Sequence, residues 1–139
     1  MAAARIDSMN QHHLRDRTKQ FAVAVVRFCR KLPKDWDVRE LGRQLLRAGS
    51  SVAANYRACG RSRSDKEFCS RLAVVVEEAD ESQLWLELLG EAIPSVRDDG
   101  YRLLLQEAGE LTAIFTASYR TARLNLEKRK VERKKRRAK

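Results

Sequence analysis

The densest run of side chains with chemical potential is Glu77-Glu78-Ala79-Asp80-Glu81. Carboxylates at this spacing are candidate metal ligands. Ferritin-like bundles hold two irons with a Glu from each of two helices and Glu-x-x-His from the other two. Here the two histidines, His12 and His13, precede the first helical stretch, and no Glu-x-x-His occurs. The acidic run therefore reads as a face paired with Arg or Lys from a neighbouring helix. Ser50 and Ser51 fall inside a helical stretch, with no histidine on any expected helix to accept a proton. There is no G-x-S-x-G, no phosphate-binding glycine loop and no dinucleotide fingerprint. Cys29, Cys59 and Cys69 are odd in number, lack CxxC spacing and sit in apolar or small-residue stretches, as buried reduced thiols do. No catalytic residue, metal or cofactor is expected, and the chain does not read as an enzyme.

The basic residues carry a different chemistry. One set, Arg39, Arg43, Arg47, Arg57, Arg61, Arg63, Lys66 and Arg71, spreads over the second helical stretch and the start of the third. The other is the tail: Lys128, Arg129, Lys130, Arg133, Lys134, Lys135, Arg136, Arg137 and Lys139. Against two Glu, these nine cations leave +7 of the chain's +10 in the last thirteen residues. Dense Lys/Arg neutralises phosphates and releases counterions, giving salt-sensitive and largely sequence-independent binding. Arg43, Arg47, Arg57, Arg61, Arg63 and the tail from Lys128 to Arg137 are thus the candidate nucleic-acid contacts. The alternative is a solvated tail, or one that meets an acidic protein. No RNP box or zinc finger is present, so base-specific readout has no support.

Asn55 occupies a seam position where an apolar residue is expected. A buried amide without partners costs a few kcal/mol, and one polar residue in a helical seam can fix register. The expected partners are Glu78 or Glu81, or a facing backbone group, making Asn55, Glu78 and Glu81 a polar core; the alternative is a hydrated rim residue.

Four helical stretches must position these groups. Leu14, Thr18, Phe21, Val25, Phe28 and Leu32 alternate spacings of four and three, which draws one stripe down a helix. Pro33 ends it. The second stripe runs Val38, Leu41, Leu45, Ala48, Val52, Asn55, Cys59, opening with Asp37 and Glu40 at capping-box spacing. Gly60 is placed to end it in a left-handed conformation. Ser64 and Glu67 form a second capping-box pair, leading into Phe68, Leu72, Val75, Ala79, Ser82, Leu86, Leu89, Ile93, and Pro94 closes this helix. The last begins near Ser95 and carries Tyr101, Leu104, Ala108, Leu111, Phe115, Ser118, Ala122, Asn125, then runs into the basic tail and frays. Short connections force antiparallel neighbours, so the fold is an all-α, up-down-up-down four-helix bundle over residues 14–126. It is flanked by a flexible segment, 1–13, and a basic tail, 127–139.

Adjacent apolar residues such as Ala73-Val74-Val75-Val76, Leu84-Trp85-Leu86 and Leu103-Leu104-Leu105 point to different sides of a helix. More than one side is then buried, and the expectation is a homo-oligomer, since a monomer would leave part of this surface open; the alternative is that these helices are central in a wide core. No apolar run approaches a membrane span, and Met1 to His13 lack the apolar core of a signal peptide, so a cytoplasmic location without membrane contact is expected.

Gly49-Ser50-Ser51-Val52-Ala53-Ala54-Asn55-Tyr56-Arg57-Ala58 resembles the second-helix signature of the four helix bundle protein family, also called the 23S rRNA intervening sequence protein family. The likeness continues through Arg63-Ser64 and Glu67-Phe68, and resumes at Glu78-Ala79-Asp80-Glu81-Ser82 and Trp85-Leu86-Glu87-Leu88-Leu89. Cys59 stands where such strings often hold Glu. The resemblance implies an up-down bundle that assembles into a homopentamer with a central channel. Some members are encoded within insertions in large-subunit ribosomal RNA genes. A related branch, the accessory variability determinant of diversity-generating retroelements, is a basic pentamer that binds a reverse transcriptase and nucleic acid. Two roles follow from the resemblance: an oligomeric RNA- or DNA-binding accessory protein, or an interaction scaffold such as an accessory subunit of a reverse transcriptase.

Overall fold

Breaks in helical propensity divide the chain as the stripes require. The computed structural model describes residues 2–139, with the side chains of residues 10–139. Its elements are α1 (Ala2–Arg30), α2 (Trp36–Cys59), α3 (Asp65–Ala92), a 3-10 turn (Pro94–Val96) and α4 (Asp99–Arg137), with no strand among the described residues. The backbone of 2–13, expected as a flexible segment, continues α1; the side chains of residues 1–9 lie outside the described residues. At the other end α4 carries the basic tail as unbroken helix through Arg137.

The helix ends correct two expectations. Ser64 does cap α3, its hydroxyl accepting from the Glu67 amide at 3.1 Å, while the Glu67 carboxylate accepts from the Arg63 amide at 3.0 Å. The Asp37–Glu40 box does not form. The N-cap is Asp35 and the helix starts at Trp36, two residues earlier than the box requires, and the Asp37 carboxylate accepts from its neighbour Val38 at 2.9 Å. Gly60 is not left-handed: its φ of −65° and ψ of −12° are helical. The Arg61 and Ser62 amides donate to Ala58 and Cys59 at 3.0 and 3.2 Å, so tightened i→i+3 bonds satisfy the last carbonyls without a reversed residue. For α4 the cap is Asp98, accepting from the Tyr101 amide at 2.8 Å, because Pro94-Ser95-Val96 forms its own short turn first.

The helices pack in a ring, α1 on α2, α2 on α3, α3 on α4, with α4 closing on α1. Their stripes meet in one core: Phe21 and Val25 from α1, Val38, Leu45 and Val52 from α2, Leu72, Val75, Leu86 and Leu89 from α3, Leu104, Leu111 and Phe115 from α4. Tyr56 tilts against Phe115 with ring centroids 5.2 Å apart. The two polar seam residues close their own needs locally. The Thr18 hydroxyl donates to Arg15 O at 3.0 Å, and Ser82 to Glu78 O at 2.8 Å. Cys59 and Cys69 are buried and Cys29 half-buried, all unbridged, and burial pushes the Cys29 and Cys59 thiols up to about 11.

At the end of the bundle nearest Pro94, α3 and α4 approach as closely as a glycine permits. The Tyr101 hydroxyl passes beside Gly90 to donate to Leu86 O at 2.8 Å, and a Cβ on Gly90 would sit 2.0 Å from that oxygen. The Arg97 Nε donates to Gly90 O at 2.6 Å and fastens the turn to the same point.

Candidate nucleic-acid interface

The up-down course decides which charges meet. Helix α2 ends, and α3 begins, at the end of the bundle where α4 finishes, so Arg57, Arg61, Arg63, Lys66 and Arg71 lie at the same pole as the tail. Arg129 forms an ion pair with Asp65, the first residue of α3, which ties tail to turn directly. Residues 57–71 and 120–139 together hold sixteen Lys/Arg against four Asp/Glu, a net +12, and the rest of the chain is −2. Two basic sets that are separate in sequence thus become one pole that carries the whole excess charge.

Arg57, Arg61 and Arg63 are exposed and make no ion pair with a described carboxylate. With Lys19 of α1 they line a shallow groove whose floor is Ala53, Ala54 and Ala58. Arg71 borders the groove but is engaged, donating to Ala58 O at 2.6 Å and paired with Glu67. Every residue from Glu127 to Lys139 is exposed. Lys130 is 3.7 Å from Glu127, a contact that screened surface charges hold only weakly.

Arg43 and Arg47 stand apart from this pole. Arg43 projects from the N-terminal third of α2, 3.9 Å from Glu40. Arg47 crosses to α3, pairing with Glu81 and lying 3.5 Å from Glu78. Trp85 Nε1 donates to the same Glu81 carboxylate at 3.2 Å. The expected acidic face on α3 is therefore real, and Arg47 is its partner rather than a free phosphate ligand.

Asn55 does not join the acidic pair. Its amide donates to Ser51 O at 2.8 Å, one turn back on its own helix. The seam position passes instead to Tyr56, which follows Val52 by four residues and precedes Cys59 by three. A step of 100° then turns Asn55 onto the half-buried flank. The polar core expected of Asn55, Glu78 and Glu81 reduces to the two glutamates with Arg47 and Trp85.

Glu78 is the strained member of that group. Burial raises its carboxyl above the ordinary carboxylate range; the neighbouring Glu81 adds to this and Arg47 opposes it. Its Oε2 is buried without a hydrogen-bond partner. A raised folded-state value means that Glu78 favours the fold when protonated and opposes it when ionised, as pH rises through that value. Removing Arg47 raises it further. R47Q should accordingly lose more stability at pH 7 than at pH 3, where the carboxyl is largely protonated in both folded and unfolded chains. Urea midpoints at the two pH values read this directly, and an equal loss at both would refute the assignment.

Arg17 and Trp36, which shape these surfaces, gave little signal in the sequence. Arg17 clamps α1 to α4, with Nε 3.1 Å from Glu107 and Nη2 2.8 Å from Glu110. Only the facing of two helices distant in sequence brings these three together. Trp36 is 83% exposed, Leu103 68% and Leu84 47%, with Leu46 and Leu88 also open. Among the described residues there is no group of three or more His, Cys, Asp or Glu that could hold a metal, and no helix long and apolar enough to cross a membrane.

Two comparisons bear on what this surface belongs to. The family model described as 23S rRNA-intervening sequence protein matches residues 11–117. The crystal structure of a protein of unknown function from the S23 ribosomal protein family of Bacteroides thetaiotaomicron superimposes with a TM-score of 0.71. It is 24% identical, and the match covers 79% of this chain and 97% of that one, a likeness of fold. No curated protein matches the chain. Both the family match and the bundle stop short of the basic extension of α4.

Proposed function

Because the chain belongs to the 23S rRNA-intervening sequence protein family, we propose that it is a non-catalytic, homo-oligomeric accessory protein that binds RNA or DNA through the phosphate backbone, in the cytoplasm. The observation that supports this most directly is the concentration of +12 at one pole, with the remaining chain at −2. A solvated surface needs no such segregation, whereas a polyanion site does. Self-association is supported by Trp36, Leu46, Leu84, Leu88 and Leu103, which a single copy leaves open to water. Assembly would multiply the poles: each added copy raises the effective concentration of the next contact, so weak phosphate pairs sum to useful avidity.

The test is a salt titration of binding to mixed cellular RNA, with solution mass measured in parallel. The variant R57Q/R61Q/R63Q removes three exposed cations that take part in no described ion pair. If all three meet phosphates, the slope of log affinity against log salt should fall by about 2 to 2.7, the range spanning single strands and duplex. Stability should change little, because exposed substitutions away from structural contacts are nearly neutral. An unchanged slope would remove the turn from the site, and a wild-type protein indifferent to salt would remove the proposal.

A further inference from the structure

Resting on the phosphate-binding reading above, we infer that the basic extension of α4 is a groove helix for double-stranded DNA, held in the major groove with opposite rows of cations on its two phosphate walls. Arg129 is level with the first residue of α3. Residues 130–137 therefore project about 12 Å past the bundle end at about 1.5 Å per residue.

The distribution of charge around this rod is what selects the ligand. At 100° per residue, Arg129, Arg133 and Arg136 continue the register that buries Leu111 and Phe115 farther up the same helix. The Arg129–Asp65 pair confirms that this side faces the α2–α3 turn. Arg137 and Lys130 lie at the edge of this arginine side, and Lys128, Lys134 and Lys135 fall on the opposite half of the circumference. A helix lying on one row of phosphates uses one side only. Cations on two opposed sides match two phosphate rows, which the walls of a groove supply.

The groove's dimensions and the tail's composition narrow the choice further. The major groove of B-form DNA is about 12 Å wide and admits a helix about 10–12 Å across. The A-form major groove of duplex RNA is too deep and narrow for this. Unpaired strands are held by aromatic side chains on which bases stack, and no Phe, Tyr or Trp follows Tyr119. Arg61 and Arg63, exposed on the turn beside the emerging helix, would meet phosphates flanking the wall on the arginine side. Such contacts position the protein without reading sequence.

The test compares the full chain on DNA duplex, RNA duplex and oligo-dT of equal length, with two tail variants. The DNA duplex should bind tightest, by about tenfold or more over either competitor. R133Q/R136Q/R137Q and K128Q/K134Q/K135Q should each weaken it and each lower the salt slope by about 2.7. Glutamine preserves helix propensity, so helix content by circular dichroism should not change. Equal, salt-dependent affinity for all three ligands would overturn the groove assignment and leave phosphate binding standing. The same holds if one row proves silent. No binding to any of them would overturn both.

Discussion

Deleting residues 127–139 is expected to weaken nucleic-acid binding by on the order of 10⁴-fold at physiological salt while leaving the bundle folded. The deletion removes nine cations and two carboxylates. If roughly six of those cations meet phosphates, the salt slope falls by about 5. The stability side is small by comparison. The only described ion pair from the deleted segment to the rest of the chain is Arg129 with Asp65, both about half exposed, and such pairs contribute about 0–1 kcal/mol. Every residue removed is otherwise in water. Binding isotherms at several salt concentrations, beside a urea titration of the truncated chain, separate the two effects. Equal affinity with and without the tail, at equal slope, would show that the pole is not where the ligand sits.

The second large effect concerns the close approach of α3 and α4. In most helices Gly→Ala is stabilising by about 0.8–1 kcal/mol, since alanine loses less backbone freedom on folding. At Gly90 the sign should reverse. The new methyl would lie 2.0 Å from the Tyr101 hydroxyl oxygen and 2.5 Å from its ring carbon Cζ, and Tyr101 is itself buried. The ring must move, which costs about 1–3 kcal/mol of overpacking. Loss of the Tyr101–Leu86 hydrogen bond leaves a buried hydroxyl unpaired, another 1–3 kcal/mol. Against the alanine gain, a net loss of about 1–5 kcal/mol follows, a large share of the 5–15 kcal/mol that holds a domain together. The denaturant midpoint should fall with the m-value unchanged. In a Tyr101→Leu background the clash is gone, so G90A should cost far less there. A G90A protein as stable as the parent would mean that α3 and α4 are not this close.

How much of this was legible in the residues depends on whether the determinant was periodic. The stripes of α1, α3 and α4 could be read directly, because the alternation of four and three is a property of one helix: Phe21 and Val25, Leu72 and Val75, Leu104, Leu111 and Phe115 are buried as spaced. In α2 the same rule misplaced one residue. Asn55 and Tyr56 both continue the stripe from Val52, at spacings of three and four, and only the facing Phe115 ring decides for Tyr56. Caps resisted for a similar reason. Asp37–Glu40 has the spacing of a box, yet the helix starts two residues sooner, capped at Asp35, which sequence spacing alone does not fix. Gly90 and Tyr101 gave no sign of their contact, since nothing local distinguishes a glycine at a helix crossing from one that merely lowers propensity.

The candidate interface divides along the same line. The tail's charge is a run and is plain in the sequence. That Arg57, Arg61 and Arg63 join it depends on topology, and the bundle supplies that. Arg47 was indistinguishable from them by type and spacing, but its partners Glu78 and Glu81 lie more than thirty residues away and meet it only across a helix pair.

Segregated charge has a consequence for the encounter itself. A body with +12 at one tip and −2 elsewhere is a dipole as well as a cation. In the field of a polyanion it experiences a torque before it experiences contact, and it arrives tip first. Fewer collisions are then wasted on wrong faces, and the association rate inherits a dependence on ionic strength separate from that of the bound complex.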